Sequence, residues 1–212
     1  MASGFPLSVF RFSLDHKMGA MSVSSALCLA WVELTANGTW PPPTHSAAAA
    51  IQGHRTILLF GGNAFDPNND LYALDTMTHT WTKRKLDKPP PKREGHSLTS
   101  LPDGRLLLFA GYSGKSPLND LFLLSDDGWS AVNTTNAPPA ARDGHSAVLA
   151  PDNVTLLVFG GFNGTMQLSD LWALDTRSFS WRELHPGGEA PPARCMHCAQ
   201  PTSDGMLVFG GY

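Results

Sequence analysis

The sequence predicts an all-β chain built from one small sheet repeated about every fifty residues, and three recurrences predict it. Phe60-Gly61-Gly62, Phe109-Ala110-Gly111, Phe159-Gly160-Gly161 and Phe209-Gly210-Gly211 follow one another at steps of 49, 50 and 50. Asp70-Leu71-Tyr72, Asp120-Leu121-Phe122 and Asp170-Leu171-Trp172 keep a step of 50. His45, His96, His145 and His197, and with them Trp31, Trp81, Trp129 and Trp181, hold the same phase. A period of this length decides the architecture first, because each unit can bury its faces only against its neighbours.

The composition agrees. Twenty Gly and 17 Pro spread along 212 residues require many turns, hence short strands. An apolar share of 42% supports a sizeable core, and a charged share of 16% suits sheets covered on both faces. A net charge of −3 supplies no global field toward nucleic acid or an anionic membrane, so neither is expected as a partner.

Along the chain, residues 1–28 read as a degenerate or non-repeat segment. Arg11, Asp15, His16 and Lys17 precede a short apolar stretch interrupted by serines, which makes neither a signal peptide nor a membrane span. Residues 7–12 align at the fifty-residue offset with a second strand that lacks its glycines. Residues 29–44 read as the last strand of a preceding unit and a linker, since Trp31-Val32-Glu33-Leu34 matches Trp181-Arg182-Glu183-Leu184. Complete units follow at 45–92, 93–141 and 142–193, and a fourth begins at 194–212 and reads as truncated.

Each unit resolves into four strands. The first opens at the histidine and closes at Asp103-Gly104, Asp152-Asn153 or Asp204-Gly205, pairs that accept positive φ in a hairpin turn. The second is a continuous apolar run ending at the phenylalanine, which implies burial on both faces. The third is Leu-aromatic-x-Leu, and the fourth starts at the tryptophan. The second unit is two residues short because Ser125-Asp126-Asp127-Gly128 replaces the longer turns of its neighbours. No segment carries a helical period.

A diglycine, a spaced aromatic and a Trp in each fifty-residue, four-stranded unit resemble the kelch repeat of β-propellers, over residues 29–212. The resemblance implies one blade per repeat, a ring of about six blades, and a protein-binding platform as the commonest role. On this reading the chain holds three complete blades and partial blades at both ends, an incomplete ring. A truncated product or fragment of a longer protein is the expected explanation. The alternatives are N-terminal strands completing the fourth unit, or two chains associating through open blade edges.

The repeated residues are assigned to structure. Gly62, Gly111, Gly161 and Gly211 never vary, which suggests positive φ or a close backbone approach, whereas Ala110 among Gly61, Gly160 and Gly210 suggests that the first position tolerates a Cβ. Tyr72, Phe122 and Trp172, with Trp81, Trp129 and Trp181, are large enough to cement blade to blade. Asp70, Asp120 and Asp170 stand where an Asx-type bond to nearby backbone is expected.

Catalytic and metal chemistry find little support. Histidines on successive blades lie too far apart for one ion. Cys195 and Cys198 form a lone C-x-x-C without a second ligand pair, Cys28 being the only other thiol. Three cysteines suit a reducing compartment, so a cytoplasmic location is expected, against which stand four Asn-x-Thr sequons at Asn37, Asn133, Asn153 and Asn163. Copper-radical oxidases share the kelch architecture, yet the tyrosines here are only Tyr72, Tyr112 and Tyr212 and the catalytic segments of such enzymes are not recognisable. The expectation is a non-catalytic protein-interaction scaffold without cofactor or metal, or else the kelch module of a longer enzyme or adaptor.

Its binding face should carry the second-to-third-strand loops, residues 63–69, 112–119 and 162–169, and the Pro-rich connections between blades. Phe65, Tyr112, Phe162 and Asn163 are the candidate contacts there. Arg93, Arg142 and Arg194 recur just before the first strand, with Lys92 beside the first of them. The resemblance implies that arginines so placed line a pocket for an acidic segment of a partner.

Overall fold

The computed structural model describes residues 9–14 and 29–212, with side chains described from residue 35 onward. The readings made for residues 1–8 and 15–28, Cys28 included, lie outside the described residues. Strands β1 (Val9–Leu14) and β2 (Leu29–Leu34) form an antiparallel pair. Their register sets Val9 opposite Leu34 and Phe12 opposite Trp31. The third and fourth strands of a later sheet repeat it, with Leu171 opposite Leu184 and Leu174 opposite Trp181. Residues 9–14 therefore hold the register of a third strand, and the alignment of residues 7–12 with a second strand is corrected: sequence offset cannot see which neighbour a strand pairs with.

Three blades of four antiparallel strands follow, the first widened to a five-stranded sheet. The first blade contains β4 (Ala48–Gln52), β5 (Thr56–Phe60), β6 (Leu71–Asp75) and β7 (Thr80–Arg84), with the short β3 (Asn37–Gly38) added parallel to β7. The second contains β8 (Ser97–Ser100), β9 (Leu106–Tyr112), β10 (Pro117–Ser125) and β11 (Gly128–Ala131). The third contains β12 (Ser146–Leu149), β13 (Thr155–Phe162), β14 (Gln167–Asp175) and β15 (Ser180–Leu184). A two-stranded sheet, β16 (Cys198–Thr202) and β17 (Gly205–Phe209), comes last. The fold is the kelch-type propeller architecture, in which first strands pack in series, β4 on β8, β8 on β12 and β12 on β16, and the described residues close no ring.

Period-two alternation explains how the blades adhere. Leu106, Leu108 and Leu124 of the second blade face the first, where they meet Leu58, Phe60, Leu71 and Ala73. Leu107, Phe109, Leu121 and Leu123 face the third, where they meet Leu156, Val158, Leu174 and Trp181. The second strand is thus apolar at every position because it serves two neighbours. Trp129 and Trp181 each land on the phenylalanine of the preceding blade, Trp129 on Phe60 with centroids 5.0 Å apart and Trp181 on Phe109 at 4.9 Å. On the outer side of the first blade Trp40 takes that place against Trp81, at 6.5 Å. Tyr72 packs in the same cluster, while Phe122 and Trp172 lie partly buried against the blade before them.

Both glycine positions at the end of the second strand are left-handed. Gly111 and Gly161 have φ of 105° and 102°, and a Cβ on either would come within 2.8 Å of a backbone carbonyl oxygen. Ala110 also sits at positive φ, 59°, so the first position admits a Cβ only at the expense of left-handed strain. Of the hairpin turns, Gly104 and Asn153 take positive φ, at 85° and 57°, and Gly205 does not.

Candidate functional site: the loop rim

The arginines that open each unit are internal. Arg93 Nη1 and Nη2 donate to the two Asp120 carboxylate oxygens at 2.6 and 2.9 Å, Nη1 also to the Ala110 carbonyl at 2.9 Å, and Nε to the Pro91 carbonyl at 3.0 Å. Arg142 repeats the set with Asp170 (2.8 and 2.8 Å), the Gly160 carbonyl (2.9 Å) and the Ala140 carbonyl (3.0 Å). Both are 0% exposed, and the Arg93 guanidinium also lies 5.3 Å from the Phe122 ring centroid. Paired, hydrogen-bonded forks of this kind can hold a buried cation. Arg93 and Arg142 are therefore unavailable to an acidic partner. Arg194 keeps the two carbonyl contacts, to Pro192 and Gly210 at 3.1 and 2.9 Å, but has no carboxylate partner among the described residues and is partly exposed.

The aspartates are corrected with them. Asp120 and Asp170 receive arginines and are not Asx turns. That task falls to Asp75 and Asp175, which accept from Met77 and Thr78 (2.9 Å each) and from Arg177 and Ser178 (2.8 Å each). Burial by itself raises the Asp170 carboxyl, but the Arg142 hydrogen bonds and charge, with the Trp172 Nε1–H, more than offset it and leave the group below its usual range. In the first blade Thr44 occupies the arginine position, and Asp70 pairs instead with Lys83 at 2.8 Å.

The histidines lie between blades, edge-on to the preceding phenylalanine: His96 on Phe60, His145 on Phe109 and His197 on Phe159, with centroids 5.2 to 5.5 Å apart. His145 and His197 share hydrogen bonds through Nε2 with Ser97 and Ser146 Oγ at 2.9 and 2.8 Å. Burial first, and the neighbouring Arg93 or Arg142 charge second, push His96 and His145 down to about 3. Among the described residues no group of three His, Cys, Asp or Glu side chains is arranged to hold a metal. Cys195 is buried and Cys198 exposed, both as free thiols.

The residues that follow the arginine position, His45, Glu94, Asp143 and Cys195, each pair with the residue after a diglycine, and all but the buried Cys195 are at least partly exposed. Glu94 and Tyr112 exchange backbone hydrogen bonds at 3.0 and 2.8 Å, Asp143 and Phe162 at 3.0 and 2.8 Å, His45 and Asn63 at 3.0 and 2.9 Å, and Cys195 and Tyr212 at 3.1 Å each way. Alongside runs a second chain of bonds linking blade to blade, from Gly95 to Ser46, Gly144 to Gly95 and Met196 to Gly144, at 2.8, 2.8 and 2.7 Å. Together they fix the rim. Its backbone is constant and its side chains differ from blade to blade.

The expected contact residues distribute unevenly over this rim. Tyr112 and Phe162 stand on it, half-buried, and strand pairing continues to Tyr112–Pro117 and Phe162–Gln167, so the loops expected at 112–119 and 162–169 are shortened to tight hairpin turns. Asn163 caps its own surface turn, accepting from the Thr165 and Met166 amides at 2.9 Å each. Phe65 is 99% exposed on the irregular segment of the first blade, and Lys92 is exposed beside Arg93. Glu94 and Asp143 were missed by sequence reasoning. Their signal was a position that varies through His45, Glu94, Asp143 and Cys195 directly beside the recurrent arginine.

Comparison with known proteins gives a consistent picture. Residues 21–211 match the family model described as the KLHDC2/KLHL20/DRC7 Kelch-repeats domain. Adagio-like protein 1 of Oryza sativa subsp. japonica is 32% identical over 91% of this chain and 30% of its own length. Host cell factor of Drosophila melanogaster is 30% identical over 86% of this chain and 14% of its own. Tip elongation aberrant protein 1 of Schizosaccharomyces pombe is 30% identical over 99% of this chain and 19% of its own. The chain thus spans about a third or less of the length of the curated relatives it matches.

Proposed function

Because the chain belongs to the kelch-repeat family of the KLHDC2/KLHL20/DRC7 type, we propose that it is a non-catalytic protein-interaction domain that holds its partner on the loop rim. One observation carries the reading: an inner frame of repeated arginine, glycine and histidine contacts holds a rim whose side chains change at every blade. A rigid scaffold presenting variable side chains is the arrangement from which repeat proteins build recognition surfaces. The strongly displaced titratable groups His96 and His145 are sealed between blades, where burial accounts for their displacement. Among the described residues the free thiols of Cys195 and Cys198 support a reducing, cytoplasmic setting.

A second reading, favoured by the length of the relatives, is that the rim serves as the docking module of a longer adaptor. Site-specific photo-crosslinking in cells tests the common element of both. A cross-linking residue at Ser113, on the rim, should capture a discrete partner, whereas one at Arg177, on a turn of the opposite face, should not. Equal capture from both faces, or none from the rim, would sink the proposal.

A further inference from the structure

Between Tyr112 and Phe162, one blade apart on the rim, opens a cleft of about 410 Å³ whose walls also include Asp143 and Lys115. On the far side of Phe162 lies a second, of about 470 Å³, reaching Met196 and Tyr212. Asp143 and Phe162 are common to both.

The two rim carboxylates differ in what they have. Glu94 accepts from Asn63 Nδ2 at 3.1 Å and faces His45 Nδ1 at 3.7 Å. Asp143 is half-buried, and among the described residues no lysine, arginine or histidine is paired with it. Burial first, and the Glu94 charge second, push its carboxyl upward, as expected for a carboxylate withdrawn from water without a counter-charge. Two aromatic rings flank it, and aromatic faces favour cations and the methylene stems that carry them.

We propose that the cleft between Tyr112 and Phe162 receives a lysine or arginine side chain of a partner protein, its cation against Asp143 and its stem against the two rings. The inference rests on the rim reading above and supplies the partner's chemistry, with the sign of charge opposite to the one the arginines suggested. Among the described residues Lys115 is the single cation on the cleft wall and would favour an acidic occupant; its side chain is exposed, while Asp143 is half-buried.

Backbone-amide NMR of the full chain tests this with a short Arg/Ser peptide and its Glu-for-Arg and Leu-for-Arg counterparts. The Arg peptide should shift the Tyr112, Asp143 and Phe162 amides saturably. Asp143→Asn should weaken it at least tenfold and flatten its salt dependence. Tyr112→Ala should weaken it while leaving the salt dependence in place, with melting of both variants matched to the parent. If the Glu or Leu peptide shifts these amides as well as the Arg peptide does, the basic occupant is wrong and the rim survives as a binding face. Absence of any shift, or an unchanged affinity for Asp143→Asn, overturns the proposal, and the cross-linking result then decides the rim reading independently.

Discussion

Arg142 and Arg194 occupy the same repeat position and make the same two carbonyl contacts, yet one is sealed and the other partly exposed. The difference is a third strand. Asp170 on β14 closes over Arg142 with two hydrogen bonds, whereas no described residue reaches Arg194 in that way. The phenylalanines tell the same story. Phe109 is covered by Trp181, while Phe159 lines a cavity of about 510 Å³ together with Leu171, Leu184, Met206 and Val208. At the Arg142 junction the closing contacts come from the outer strands, Asp170 from β14 and Trp181 from β15.

Three experiments would break or sharpen this comparison. The largest effect is expected from Arg142→Ala, which leaves Asp170 as an unpaired, partly buried charge and should cost about 3–5 kcal/mol. Arg194→Ala, with no carboxylate among the described residues to strand, should cost under about 1 kcal/mol. Urea melts of the two variants decide it, and equal losses would show that the aspartate is not what distinguishes the junctions.

Acid should come next. His145 is held near 3 when folded, against an ordinary value near 6.5, so below pH 6.5 the unfolded chain binds the proton more readily. Stability should then fall as pH drops from about 6.5 toward 3, with a slope approaching about 1.4 kcal/mol per pH unit for each such histidine. His145→Gln should flatten the acid limb of the urea midpoint more than His197→Gln, because His197 sits at the less complete junction. Identical profiles for the two would remove the junction from the explanation.

The smallest effect concerns Ala110 and its counterpart Gly160, at φ of 59° and 62°. Ala110→Gly should stabilise by about 0.5–1 kcal/mol through relief of left-handed strain, net of the entropy of glycine. Gly160→Ala should destabilise, since its Cβ would come 2.7 Å from the Arg194 carbonyl oxygen. Thermal melts shifting in the same direction for both would contradict the strain account.

Much of the fold was legible because its marks are local and repeated. The apolar run, the Leu-aromatic-x-Leu strand and the Trp each announce a strand, and phase across units announces the blade. The constancy of Gly62, Gly111, Gly161 and Gly211 pointed correctly to a backbone demand. The candidate site was less legible. Tyr112 and Phe162 were found as aromatics after the diglycine, but Arg93 and Arg142 drew attention away from Glu94 and Asp143 beside them.

The sequence by itself determined the period, the strand order within a blade and the residues that seal blade to blade, because each follows from alternation and spacing along a short stretch. Only the tertiary structure decided which charges are internal. Arg93 and Arg142 meet carboxylates 27 and 28 residues away, across two strands of their own blade, and nothing in the local pattern distinguishes a guanidinium so covered from one facing water. The repeat unit defined the frame. The long-range pairing of its charges decided which side chains were left on the rim.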